Sequence, residues 1–523
     1  MKINKIYIPI FIVCFISVGL LIGSWFERAK SGEISAENHK NKLNKLIDFI
    51  DREYVDSVKT DSIIDLTASE ILAKLDPHSV YLSPKENSAE TEQMQGNFVG
   101  IGIQFYIKND SVRVIKPMEN GPSEKAGIKA GDRIIAINNQ WLPKKNVSDT
   151  YLFSKLKGEE STSVTITVFR KSDKKNHTYR LIRTAIPIKS VPIALLLTPT
   201  MGYIKIDRFA ETTDAEFLEA LKPLKNKKIQ SLVIDLRDNG GGYMERATKI
   251  ADEFLKKGNL IVKTKNKKGT ITPSYATDYG NFEDGKIIIL INENSASASE
   301  VLAGAIQDND RGFIIGRRSF GKGLVQREMP LGDGSAVRLT IARYYTPSGR
   351  SIQKPYNKGN EEYFNDFEKR FVNGELYESD KIKVADSLKF KTKKGRTVYG
   401  GGGIIPDYFV PIGKNHTEDS IDLMMQGSLA TNFAWDEIDK NRLFFEKLSL
   451  DELKKEMITN AIYYKNFEKY ILKAGLEINL QKHQKQIQEQ LYLAFVRLLY
   501  SENQYYKLLL PNDLMIKKAI ETL

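Results

Sequence analysis

Three short segments hold the residues whose types and spacing could carry out chemistry. The first is Asn292-Glu293-Asn294-Ser295-Ala296-Ser297-Ala298-Ser299-Glu300, where an apolar strand pattern gives way to a helical one. A serine on a tight strand-to-helix turn can act as a nucleophile, with the next backbone N–H aimed at the charge that develops on an attacked carbonyl oxygen. A plainer reading is open beside it: Ser297 with Glu300 is a capping-box pattern, which would only satisfy the first N–H groups of a helix. The second segment, Ser319-Phe320-Gly321-Lys322-Gly323-Leu324-Val325-Gln326, sets Lys322 between glycines at the opening of a strand. A lysine shielded from water has a lowered pKa and can replace histidine as general base, although a lysine between glycines is more often a loop charge. The even spacing predicts that Lys322 and Gln326 share one strand face. The third segment, Leu232-Val233-Ile234-Asp235-Leu236-Arg237-Asp238-Asn239-Gly240-Gly241-Gly242, runs from a buried strand into a glycine turn that can bring main-chain N–H groups close to a substrate carbonyl. No lysine–serine pair follows it, so a nucleotide-phosphate loop is disfavoured. Histidine is absent from the whole region, which leaves a Ser-His-Asp triad without a local base.

Positioning those segments requires a strand–helix alternation, and residues 200–355 have one. Strands are predicted at 202–206, 232–236, 286–292, 313–316, 324–329 and 336–344, and helices at 244–255 and 297–307. This order implies an α/β core with an antiparallel extension. Residues 356–395 are polar and read as an excursion, after which Gly400–Gly403 leads into a returning strand at 404–410. Residues 36–95 have apolar positions at helical spacing up to Asp76-Pro77, and residues 420–523 are helical again. Between 97 and 184 the pattern is β-rich, with short runs at 112–115, 133–137 and 163–169.

That β-rich stretch resembles a PDZ domain of the bacterial protease type. It carries Gly100-Ile101-Gly102-Ile103 ahead of a strand, then Gly121-Pro122-Ser123, Ala126-Gly127-Ile128 and Gly131-Asp132-Arg133-Ile134. In such a domain the glycine loop holds a terminal carboxylate and the neighbouring sheet edge accepts the ligand as an added strand. The three chemical segments, in this order, resemble those of the C-terminal processing peptidases, or tail-specific proteases, which share a core with the tricorn proteases. Asp76-Pro77-His78-Ser79 and the stretch from Arg343 to Gln353 match as well. The resemblance implies a multidomain α/β fold: a helical N-terminal region (36–95), an inserted PDZ domain (97–184), a ClpP/crotonase-like Ser-Lys peptidase core (185–412) and a helical C-terminal region (420–523). It also implies the roles. Ser297 is the nucleophile, with Ser295 and Ser299 as rivals; Lys322 is the general base; Gln326 orients it. The N–H groups of Ala298 and Gly241 form the oxyanion hole, with the register open between Gly240, Gly241 and Gly242. Gly100, Ile101, Gly102 and Ile103 bind the substrate's C-terminus. His78 falls where many relatives have an aromatic residue, at a position without a catalytic role. No metal or other cofactor is implied, and the partners are protein or peptide substrates with free C-termini.

Composition bounds the rest. The 523 residues suggest about three domains. With 28% charged and 41% hydrophobic residues the chain is globular. The net charge of +12 is spread along the length and reads as a solvated surface, not a nucleic-acid interface. Five scattered histidines and the single Cys14 leave no zinc-ligand spacing and no internal disulfide. From Ile6 to Phe26 run 21 uncharged residues, long enough for an uncleaved membrane anchor with the rest of the chain outside the cytoplasm, on the periplasmic side. A cleaved signal peptide is the alternative for that run. The C-terminal helices are read as an oligomerisation element, an adaptor dock, or extra packing on the core.

Overall fold

The near-continuous apolar runs are the strands of one central sheet. In the computed structural model, which describes residues 41–413, 425, 428–476 and 480–523, the sheet order is Ile193–Thr198, Met201–Lys205, Ser231–Asp235, Lys286–Ile291, Gly312–Gly316, Tyr408–Phe409. The first two pair antiparallel and every later neighbour is parallel. Buried on both faces, such strands need apolar residues at almost every position. Alternate side chains serve two cores. Ile287, Ile289 and Ile291 face helices Thr213–Asn226, Met244–Asp252 and Ala298–Asp308, while Ile288 and Leu290 face Leu510, Met515 and Ile516 near the C-terminus. The helix Leu514–Thr522 therefore completes the α/β core from the far end of the chain. Arg237 fastens it, donating to Asp513 Oδ2 at 2.6 Å and to Asp235 on the central strand.

A second sheet is antiparallel and carries the loop ends of the site. It joins Val80–Leu82, Ala336–Tyr345, Leu260–Asn266 and Ile271–Tyr275, with Leu324–Pro330 also paired to Ala336–Tyr345. Within the N-terminal region 36–95, read as helical up to Asp76-Pro77, the strand Val80–Leu82 is an addition. Past Pro77 the chain turns on Asp76 and pairs with residues 336–338 before the helix Pro84–Gln95 begins. The returning strand expected at 404–410 shrinks to Tyr408–Phe409. Pro406 has no N–H for a ladder, and the Ile404 backbone instead exchanges bonds with Ser319. The excursion at 356–395 adds no strand to either of these sheets, yet it is tied to the lysine loop. Its helix Asp366–Val372 buries Arg370, which donates to the carbonyls of Arg318 and Ser319 at 3.0 and 2.9 Å.

The small β domain hangs from the core by a two-stranded ribbon, Asn97–Gly100 against Thr184–Pro187. Its sheet runs Ile103–Lys108, Ser111–Pro117, Arg133–Ile137, Ser163–Arg170, Lys175–Ile182, so Ile103–Lys108 is an edge strand. The helix Ser428–Lys440 of the C-terminal region presses on this sheet. Asp436 pairs with Lys108 and Arg113, and Asp439 with Arg133 at 2.9 Å and Arg113 at 3.5 Å. Tyr106 stacks on Trp435 with ring centroids 5.2 Å apart. Of the roles open to the C-terminal helices, these contacts give intramolecular packing. The uncharged run Ile6–Phe26 lies outside the described residues, and among those described no helix is long and apolar enough to cross a membrane.

Removing one partner of a half-buried ion cluster leaves the others desolvated and unpaired. Asp439→Asn should therefore loosen the docking of the β domain on the helices by about 2 kcal/mol. Hydrogen exchange checks this: protection should fall in residues 103–117 and stay unchanged in the central strand Ser231–Asp235.

Candidate active site

The turn between Lys286–Ile291 and Ala298–Asp308 is built on Ser297, whose backbone sits at φ 56°, ψ −114°. A non-glycine residue there is strained by roughly 1–3 kcal/mol, a feature of nucleophile turns at the head of a helix. The strain is held by dense bonding around it. Ser295 and Ser299 are both 0% exposed. Ser295 Oγ donates to the Leu236 carbonyl at 2.8 Å and Ser299 Oγ to the Asn239 carbonyl at 2.9 Å. Those two hydroxyls knit the turn to the glycine segment. Ser297 alone of the three serines lines a cavity of about 820 Å³, together with Gly240–Gly242, Ala298, Lys322, Gln326, Arg338 and Tyr344.

Glu300 joins the serine turn to the lysine loop. Its side chain is 0% exposed. Oε2 accepts the N–H of Ser297 at 2.9 Å and of Lys322 at 2.8 Å; Oε1 accepts the N–H of Gly321 at 2.7 Å and the Ser319 hydroxyl at 2.5 Å. Of the capping box only the Ser297 N–H to Glu300 Oε2 half is made, with no bond from the Ser297 hydroxyl, and that half belongs to a larger clasp. Burial pushes the Glu300 pKa up, and the four hydrogen bonds oppose that rise. Tyr344 adds a second tie: its hydroxyl lies 2.6 Å from the Lys322 carbonyl and 3.2 Å from that of Ser297.

Lys322 has its pKa lowered to about 8, first by burial and then by the Arg338 charge, against the opposing carboxylates of Glu300, Glu90 and Asp76. The shared-face argument for Lys322 and Gln326 needs correcting. Lys322 precedes the strand Leu324–Pro330, and the register shifts between Val325 and Gln326, so simple alternation does not run through them. Both residues reach the cavity nonetheless. The Gln326 amide nitrogen donates to Thr340 Oγ1 at 3.4 Å.

Gly241 must be glycine. A Cβ there would lie 2.7 Å from Ser297 Cβ and 2.8 Å from the Ala296 carbonyl oxygen, and φ is +105°. Its N–H is not free, because it donates to Asn239 Oδ1 at 2.9 Å. The N–H of Ala298, at the positive end of a fully buried helix, has no partner among the described residues.

The fold also brings a histidine to a region whose local sequence has none. The His78 ring packs against Phe320 and Tyr363, and Nε2 lies 2.8 Å from the Tyr363 hydroxyl. Burial, followed by the Lys322 charge, lowers its pKa to about 3, so it stays neutral near physiological pH. The roles of Glu300, Tyr344 and Arg338 were also invisible in sequence. Glu300 left a signal in its capping-box spacing, and Tyr344 lay in a matched stretch, but their partners come from distant segments.

In the β domain, Gly100 ends the ribbon and Ile101–Gly102 turns the chain into the edge strand. Ile101 is buried, and its carbonyl oxygen accepts the Ser123 N–H and hydroxyl. Phe105 on the edge strand meets Phe153 of the helix Asp149–Leu156, ring centroids 5.6 Å apart. The helix Pro84–Gln95 links this domain to the cavity: Glu92 pairs with Lys157 beside Phe153, and Glu90 with Arg338 in the cavity wall. No cluster of metal-ligating side chains occurs among the described residues.

A family model described as peptidase family S41 matches residues 200–360, and one described as a PDZ domain matches residues 99–181. A carboxy-terminal-processing protease of Bartonella bacilliformis is 34% identical over 353 residues, 65% of this chain and 80% of that protein. The carboxy-terminal processing protease CtpB of Bacillus subtilis is 32% identical over 317 residues, 60% of this chain and 65% of that protein. Among solved structures, a photosystem II D1 C-terminal processing protease is 26% identical, with 69% of this chain and 84% of that chain covered and a TM-score of 0.36.

Glu300→Gln tests the clasp. An amide would turn its NH₂ toward two of the four donors, so the variant should lose about 3 kcal/mol or more of stability. Thermal melting should show the drop, and peptidase activity should fall with it.

Proposed function

We propose, for a chain that belongs to peptidase family S41 and its carboxy-terminal-processing proteases and so is a serine-type peptidase with a PDZ domain, that Ser297 and Lys322 form its catalytic dyad and that free C-termini of protein substrates are its recognition signal. One observation carries the reading. Ser297 and Lys322 open into one cavity while a single buried carboxylate, Glu300, holds both of their backbones.

Neutral Lys322 takes the Ser297 hydroxyl proton as Oγ attacks the scissile carbonyl. The oxyanion forms beside the Ala298 N–H. Gly241 supplies the second donor once its N–H gives up Asn239. The ammonium of Lys322 then protonates the leaving amine, which departs and leaves an ester on Ser297. Water attacks that ester with Lys322 again as base, releasing the new carboxyl end and restoring the serine. Gln326 steadies the Lys322 side chain. The substrate's terminal carboxylate sits at Gly100–Ile103 and its last residues lie along the edge strand Ile103–Lys108. The catalytic part works outside the cytoplasm, a placement supported by the uncharged run Ile6–Phe26.

Ser297→Ala and Lys322→Ala should each abolish cleavage of an unstructured protein without loss of fold, and the double variant should be no worse than either. Since a lysine must lose its proton to act as a base, wild-type turnover should rise with pH and level off above about 8. His78, neutral above about 3, should add no further limb. A limb centred near pH 6.5 would contradict the assignment.

Carboxylate capture is tested separately. Charge-assisted bonds to a terminal carboxylate contribute roughly 1.5–3 kcal/mol each. Amidating the C-terminus of one substrate should lower its cleavage rate at sub-saturating concentration by about tenfold or more. Equal rates for free and amidated ends would mean that the tail is not read.

A further inference from the structure

The turn Asp76-Pro77-His78-Ser79 has no part in the chemistry above, yet it lies against the strand behind Gln326. Asp76 Oδ1 accepts the N–H of His78 and of Ser79, each at 2.9 Å, and the Thr340 hydroxyl at 3.1 Å. Oδ2 accepts the Ser79 hydroxyl at 2.6 Å. Ser79 Oγ in turn accepts the Thr340 N–H at 3.1 Å. Thr340 stands directly opposite Gln326 across the antiparallel pair, just past the bulge at Val325.

A carboxylate only accepts, and a hydroxyl has one proton. With that proton given to Asp76, Thr340 Oγ1 has only lone pairs left for Gln326. The amide must meet it with its NH₂ end, as the 3.4 Å contact from Nε2 has it. That leaves the carbonyl end, Oε1, free of Thr340, and Gln326 lines the same cavity as Lys322. An ammonium only donates, so the carbonyl end can hold Lys322 and the NH₂ end cannot.

We propose that Thr340 and Asp76 are positioning residues that set the polarity of the Gln326 amide, so that its oxygen faces Lys322. The inference rests on the reading of Gln326 as the residue that steadies Lys322. It gives the Asp76–Ser79 turn a task in the general-base machinery from a segment remote in sequence. Asp76 also acts on Lys322 directly as a charge, as do Arg338, Glu300 and Glu90, with neutral His78 beside the loop; of these only Asp76 bonds Thr340.

The test uses the full chain and an unstructured protein substrate. Thr340→Val keeps the shape and removes the hydroxyl. It should lower kcat roughly tenfold and leave KM within about twofold. Loss of an acceptor from the ammonium should also move the pH limb of Lys322 down by about half a unit. Thr340→Ser should recover most of the lost turnover. In a Gln326→Ala background Thr340→Val should cost nothing more, because it acts only through Gln326; a loss through general damage to the strand would add. Asp76→Asn, whose amide can donate to Thr340 and free its proton to turn toward Gln326, also removes a charge that favours the ammonium, so its limb should fall at least as far as that of Thr340→Val. The proposal is overturned if Thr340→Val keeps wild-type kcat and limb while Gln326→Ala is impaired, if Thr340→Ser is as impaired as Thr340→Val, or if the two losses add. A fully active Gln326→Ala would instead sink the reading of Gln326 on which the proposal stands.

Discussion

One carboxylate, on Glu300, decides whether this molecule has a site at all. It is fully buried and takes four hydrogen bonds, from Ser297, Ser319, Gly321 and Lys322. Burying a charge is costly unless every lone pair finds a donor. Here the donors come from two segments, the serine turn and the lysine loop. The same bonds that relieve the carboxylate fix the Ser297 turn in a strained backbone conformation and bring the lysine loop against it. The clasp is backed from behind. Ser319 Oγ also accepts the Ile404 N–H, and Arg370 holds the carbonyls of Arg318 and Ser319.

The central sheet makes that clasp affordable. Parallel strands deliver the glycine turn and the serine turn at the same edge of the sheet, because Ser231–Asp235 and Lys286–Ile291 are neighbours in register. Loops at the carboxyl ends of such strands meet there as a matter of topology. The hydroxyls of Ser295 and Ser299 then bond across the gap to Leu236 and Asn239. Gly241 lies so close to Ser297 that any side chain would displace it. Close approach at this point is a constraint of packing, and it is the reason a glycine is needed there.

Around this rigid centre the outer parts are joined by polar contacts. The β domain is attached by one ribbon and leans on the C-terminal helices through Asp436 and Asp439. Glu92 and Glu90, on one helix, touch the β domain and the cavity wall respectively. Such partly buried ion pairs hold less firmly than a packed apolar core. They suit surfaces that meet and part more than they suit a core. The rigid centre of the cavity lies in the sheet and the Glu300 clasp.

The sequence by itself determined what local pattern can encode. The strands at 232–236 and 286–292 and the helix from 297 announce themselves by apolar runs and a capping box, and they stand within a residue or two of their observed ends. The motif order was enough to expect a Ser-Lys peptidase with an inserted PDZ domain. Tertiary structure decided what depends on contacts between distant residues. Three neighbouring serines look alike in sequence, and only packing commits two of them to structural bonds. The alternation that seemed to pair Lys322 with Gln326 fails at a loop and a bulge, yet both residues line one cavity. His78, absent from the local neighbourhood, arrives through the pairing of Val80–Leu82 with residues 336–338. Burial then holds its ring neutral and lowers the Lys322 pKa. Desolvation is a property of everything that surrounds a group, and no short window of sequence contains it.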